Sequence, residues 1–174
     1  MSSAAERLRL LSEGLSREEE QAEAAVAVIL DREAVRVLLI RRSEREGDRW
    51  AGQIALPGGL YRPEDASPIK TAIREAKEEV GLDLRPDLCL GHLGAFSPLS
   101  RPGMRVIPYV FALKDEPRLM ARPEEVKEVR WVPLRGLSKA RDEKGKAYAY
   151  EDWVIWGLTA RILAKLMRLL GLPY

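Results

Sequence analysis

The stretch LPGGLYRPEDASPIKTAIREAKEEVGL, residues 56–82, decides the fold. Ser67 has the chemistry of a helix N-cap, and Pro68 suits the first helical position, where a missing N–H costs nothing. Gly81 is a natural stop. Between them Ala72, Ile73, Ala76 and Val80 recur at steps of three and four, which makes one apolar stripe. Glu75, Glu78 and Glu79 share another face, at i, i+3 and i+4. Side chains at that spacing are neighbours, with Cβ atoms roughly 5–6 Å apart. Three adjacent carboxylates repel one another unless positive charge sits among them. Arg74 and Lys77 offset part of the repulsion, and a hard divalent cation would offset more, because carboxylate oxygen is the ligand Mg²⁺ prefers. The competing reading is a solvated, salt-bridged helix face. The turn ahead of the helix weighs against it. Pro57-Gly58-Gly59 follows the apolar run Ile54-Ala55-Leu56, and a strand, glycine turn and helix in succession bring backbone close to a ligand and aim carboxylates at it.

These residues resemble the Nudix box, a Gly followed by five residues, an acid, seven residues and then Arg-Glu-x-x-Glu-Glu-x-Gly. Here Gly59 is followed by five residues and Asp65, then by eight residues before Arg74-Glu75, Glu78-Glu79, Gly81 and Leu82. The acid is Asp where Glu is usual, and one residue is added. Both departures are similar to the coenzyme A pyrophosphatase branch, and Gly58, Gly59, Pro63, Asp65, Ser67, Thr71, Ala72, Arg74, Glu75 and Ala76 follow that branch's order. Upstream, Leu38-Leu39-Ile40, Ser43, Arg49, Gly52 and Leu56-Pro57-Gly58-Gly59 resemble its additional motif. Leu56 stands for a Phe, and Arg49 is one residue nearer Gly52 than the motif asks. Downstream, Glu125-Val126, Glu128-Val129, Val132-Pro133-Leu134 and Ile155-Trp156-Gly157 continue the likeness, which runs from about Ala24 to Leu163.

The resemblance implies an α/β/α sandwich around a mixed sheet. It implies a metal-dependent pyrophosphohydrolase using Mg²⁺ or Mn²⁺, held by Glu75, Glu78, Glu79 and the Gly59 carbonyl. Coenzyme A or a derivative is the expected substrate, cut to 4′-phosphopantetheine and adenosine 3′,5′-bisphosphate. ADP-ribose, a dinucleotide, or a nucleotide-sensing module without catalysis are the rivals. Glu78 is the expected general base, with another box glutamate or a later-loop carboxylate as alternatives. Glu75 joins it in the catalytic set, and Arg74 orients a helix carboxylate through a charge-assisted bond. Asp65 is expected to tie loop to helix. Arg41, Arg42, Arg45 and Arg49 cluster before the glycine turn, and guanidinium forks match phosphate oxygens. Arg41, Arg42, Arg49 and Gly58 are therefore the expected substrate contacts.

The remainder of the chain is consistent with one α+β domain over residues 1–174. The charged fraction is 32% and the hydrophobic fraction 46%, ordinary for a globular protein. A net charge of +2 gives no footprint for nucleic acid. The lone Cys89 rules out an internal disulfide framework and suits a reducing, cytoplasmic setting. No apolar run is long enough to span a membrane, and no signal-peptide core is evident. Assembly as a homodimer is left open.

Residues up to about 21 read as one or two short helices. Strands are expected over 24–30, 34–40, 53–56, 88–96, 106–113 and 126–131, with a hairpin turn at Asp31-Arg32-Glu33. Residues 138–147 read as a charged loop turning at Gly145. The spacing of Ile155, Leu158, Ile162, Leu166 and Leu169 predicts a C-terminal helix over about 152–170. His92, Cys89 and Met104 read as packing residues. Tyr150, Trp153 and Trp156 read as helix packing, with stacking on adenine as the alternative.

Overall fold

A computed structural model describes residues 2–143 and 145–174. Its main sheet is mixed. β1 (Ala24–Leu30) runs parallel to β6 (Val106–Ala112), with Ala24 opposite Val106 and Leu30 opposite Ala112. On its other side β1 pairs antiparallel with β2 (Arg36–Arg42) and β4 (Gly58–Leu60). β3 (Ile54–Ala55) and β7 (Val126–Pro133) both pair with β2, and β5 (Cys89–His92) pairs with β6. All of β1 except Val26 is buried, because both faces of the sheet are covered.

Helix α2 (Pro68–Val80) covers one face. Its stripe of Ala72, Ala76 and Val80 packs with Ala25, Ala27, Ile29, Leu38, Ile40, Ile107 and Phe111. Small side chains on both partners let this helix lie close to β1. Helices α1 (Ala4–Gly14) and α3 (Gly157–Leu169) cover the other face. Leu11, Ile162, Leu163, Leu166 and Met167 meet Val28, Leu30, Val37, Leu39 and Val110 there. The sandwich expected from the sequence is present.

Three expectations are corrected. Residues 138–147 are not a loop. β8 (Ser138–Asp142) and β9 (Gly145–Tyr150) form a hairpin, and β10 (Trp153–Ile155) extends it into a second sheet. Ser138, Lys139 and Arg141 are solvent-facing and the hairpin's buried residues, Ala147 and Tyr148, are adjacent in sequence, so there is little apolar alternation to read. The C-terminal helix starts at Gly157, not near 152. Glu151, at φ 52, turns β9 into β10, and Trp153 and Ile155 are buried at strand spacing before Gly157, at φ 63, breaks direction. The N-terminal segment is one helix followed by an irregular strap over residues 15–22.

Candidate active site

Gly58 and Gly59, expected as a turn, instead lie in β4, paired with β1, and it is this short strand that meets α2. Gly58 cannot carry a side chain, since a Cβ there would lie 2.5 Å from the Ala25 carbonyl oxygen. Its N–H donates to Glu79 Oε1 at 2.9 Å. A Cβ on Gly59 would sit inside the Glu75 carboxylate, so the glycine pair is a cradle shaped around these two acids. Gly81, at φ 70, ends α2, and the Met120 and Arg122 amides cap it by donating to the Val80 and Glu79 carbonyls. Ser67 occupies the N-cap position but its hydroxyl makes no cap bond.

Asp65 and Arg74 brace the loop against the helix. Asp65 accepts from the Arg62 amide at 3.0 Å, the Thr71 hydroxyl at 2.8 Å and Arg74 Nε at 2.7 Å. The Arg74 guanidinium holds the Asp65 carboxyl at about 2, well below the usual range. From that anchor Arg74 reaches Glu75 at 2.8 Å, Glu78 at 3.3 Å and the Leu60 carbonyl at 3.1 Å. Lys77 instead turns outward to Asp83.

The carboxylates differ in environment. Glu79 is 3% exposed and receives one backbone N–H. Burial, aided by the charge of Glu75, pushes it up to about 8. Burial also raises Glu75, against the pull of Arg74. Glu78 is the most open of the three. Two further charges act on Glu79: Arg42, which favours its ionised form, and Glu125, which opposes it. Glu125 sits just before β7, where its carbonyl accepts from the Ser43 amide and its carboxylate is 3.5 Å from Arg122. The signal for it was an acidic pair, Glu124-Glu125, opening an apolar strand.

The arginines divide between the two faces of the sheet. Arg42 lies on the α2 side, with Nη2 3.1 Å from Asp48 and a buried Nε lacking a partner among the described residues. Arg41 turns the other way, bonding Asp152 at 2.9 Å, approaching Glu128 at 3.3 Å and lying over the Trp153 ring. Arg130 covers the same ring at 4.5 Å. Trp153 is fully buried, so packing, not adenine stacking, is its role. Arg45 binds the Glu124 carbonyl, and Arg49 is exposed without an ion pair among the described residues. His92 is a packing residue as read. Cys89 is half-buried, with its thiol directed to the Gly91 carbonyl.

The donor set suits a hard cation, since Glu79 is buried without an ion pair among the described residues and Glu75 shares Arg74 with Glu78 beside the glycine cradle. Among the described residues no three acidic, His or Cys side chains are already gathered in ligand geometry. Arg74 holds Glu75 and Glu78 meanwhile.

The NUDIX domain profile matches residues 21–153. The chain belongs to the Nudix family. It is 38% identical over 143 residues to the Nudix hydrolase NudL of Photorhabdus laumondii, covering 75% of this chain and 74% of that protein. It is 36% identical over 129 residues to the peroxisomal coenzyme A diphosphatase ndx-8 of Caenorhabditis elegans, covering 71% and 54% respectively. A Schizosaccharomyces pombe protein, C14C4.10c, is 39% identical over 112 residues, 58% of this chain and 32% of its own length. This Nudix hydrolase thus spans as little as a third of some curated relatives. Its fold matches a MutT/Nudix protein of Enterococcus faecalis with TM-score 0.58 and 25% identity, covering 96% of this chain and 69% of that one.

Proposed function

We propose that this Nudix hydrolase cleaves the pyrophosphate linkage of coenzyme A or a derivative, giving 4′-phosphopantetheine and adenosine 3′,5′-bisphosphate, with Mg²⁺ or Mn²⁺ as cofactor. The observation carrying the hydrolytic reading is the burial of Glu75 and Glu79 against Gly58-Gly59, with Arg74 paired to Glu75 and no ion pair on Glu79 among the described residues. The likeness to ndx-8 and the motif through Arg49 and Gly59 support coenzyme A.

Glu75, Glu78, Glu79 and the Gly59 carbonyl would hold the ion. When bound, a divalent cation polarises the phosphoryl oxygen and acidifies water. The chain's own residues do the rest. Arg74, fixed by Asp65, sets the orientation of Glu75 and Glu78. Water adds to one phosphorus as the bridging P–O bond breaks, and a carboxylate takes the water's proton. Glu78, the most open box acid, is the proposed base. A second reading, favoured by the charge of Glu125 acting on Glu79, gives that role to Glu125. Arg42, which pairs with Asp48, and exposed Arg49 are the proposed contacts for substrate phosphates. Arg41 faces away, into Asp152 and Glu128, and would reach substrate only by leaving them.

Incubation with coenzyme A, ADP-ribose and NADH in the presence of Mg²⁺ or Mn²⁺, read by mass spectrometry, tests this. Release of 4′-phosphopantetheine as the fastest reaction is expected. Faster cleavage of ADP-ribose or NADH contradicts the substrate. Binding of any of these without turnover favours the sensing module.

A further inference from the structure

The segment over residues 120–125 is tied to two elements, each of which carries residues of the proposed hydrolytic site. On one side it closes the end of α2: the Met120 amide donates to the Val80 carbonyl at 2.8 Å and the Arg122 amide to the Glu79 carbonyl at 3.0 Å. On the other it meets the residues that follow β2. Three successive carbonyls accept from them: Pro123 from the Ser43 hydroxyl at 2.8 Å, Glu124 from Arg45 Nε at 2.8 Å, and Glu125 from the Ser43 amide at 3.0 Å. Arg122, Pro123 and Glu124 are exposed, and carbonyls in such a surface turn ordinarily face water. Here residues 43–45 take them up.

The register just beyond this turn is shifted. Arg41 lies opposite Glu128 but Arg42 lies opposite Val126, so Lys127 is an extra residue in β7. Such a bulge re-aims the chain beside it. Val129 and Trp131 pack on the α2 side of the sheet, and plain alternation would bring Lys127 to that side. The bulge brings buried Val126 there instead. Glu125, the residue before it, is half-buried, with its carboxylate 3.5 Å from Arg122, while Glu124 is exposed. The charge of Glu125 acts on Glu79, the buried acid in the last turn of α2.

We propose that Ser43 is a positioning residue of the hydrolytic site: its hydroxyl and amide hold residues 123–125 so that the Glu125 carboxylate is kept at the Glu79 end of α2, where it contributes to turnover. This rests on the hydrolytic reading, in the form in which Glu125 acts. Pro123 has no N–H, so its carbonyl is the one backbone group by which it can be held, and the Ser43 hydroxyl holds it. Arg42, the neighbour of Ser43, is fixed separately by Asp48 at 3.1 Å. Removing the Ser43 hydroxyl therefore loosens the acid and spares the proposed phosphate contact.

The test is steady-state turnover, with Mn²⁺, of whichever of coenzyme A, ADP-ribose and NADH the full chain cleaves fastest. It compares the parent chain with Ser43→Ala, Ser43→Thr, Glu125→Gln and the Ser43→Ala/Glu125→Gln pair, each assayed below its own melting transition so that lost fold is not read as lost rate. Ser43→Ala should lower kcat and kcat/KM equally, by about tenfold, the size of one hydrogen bond expressed in the transition state. Ser43→Thr, which keeps the hydroxyl, should restore most of the rate. In the Glu125→Gln background Ser43→Ala should lower the rate no further, because the group it positions is already gone. Turnover of none of the three compounds by the parent chain would overturn the hydrolytic reading and this inference together. Turnover unchanged by Ser43→Ala or by Glu125→Gln, a rise in KM alone, no rescue by Ser43→Thr, or an undiminished effect of Ser43→Ala beside Glu125→Gln would overturn this inference and leave the hydrolytic reading in place.

Discussion

Asp65 shows how one residue can organise a site without touching its chemistry. It joins the Arg62 amide, Thr71 and Arg74, and Arg74 in turn aims two glutamates. Its folded value of about 2 lies below the ordinary 3.8, so the unfolded chain binds its proton more readily. The stability it contributes is present above about pH 4 and is lost as the pH falls through about 2. Asp65→Asn should cost about 2 kcal/mol in urea unfolding at neutral pH and remove that acid-side slope. An unchanged slope would show that another carboxylate dominates. At the glycines, Gly58→Ala must move the Ala25 backbone and should cost about 2 kcal/mol. Gly59→Ala pushes first on the Glu75 carboxylate, so its loss should be in turnover more than in melting temperature. Glu78→Gln should cut turnover by about 10² or more while leaving the unfolding curve in place. Retained activity would move the base to Glu125, with Glu125→Gln as the matching measurement.

Elements differ in how plainly the sequence announces them. α2 was legible in full, since cap position, proline, stripe and terminal glycine all agree on one answer. β1 and β6 were legible as apolar, β-branched runs. The β8–β9 hairpin was not, because its outward positions are charged or small and its buried residues are adjacent in sequence. β10 was hidden because Ile155 falls in phase with the helix that follows it. In the site, Arg74 and the three box glutamates were readable from spacing. The separation of Arg41 from Arg42 was not, because strand alternation decides it and a register shift between the two accompanies it. Glu125 was hidden in the same way, being remote in sequence from the acids it influences. The strap is an element with no periodicity at all, tied to β5 by the Ser16–His92 bridge and by the His92 ring. His92→Phe removes both ring bonds and should speed amide hydrogen exchange over residues 16–21, with protection of β1 and β6 unchanged. Unaltered exchange in the strap would show that the backbone bridge alone holds it.

For the molecule as a whole, a sheet covered on both faces leaves few places where charge can be buried, and α2 buries Glu75 and Glu79 beside Gly58 and Gly59. That arrangement opposes folding of the ion-free protein and is relieved by a cation, which links metal binding to global stability. The most direct test is calorimetric titration of the protein with Mn²⁺ at neutral pH, in parallel with Glu79→Gln. The account predicts saturable binding with proton release to the buffer, a raised melting temperature, and loss of both in the variant. Absence of binding, or binding and melting unchanged by Glu79→Gln, would contradict it.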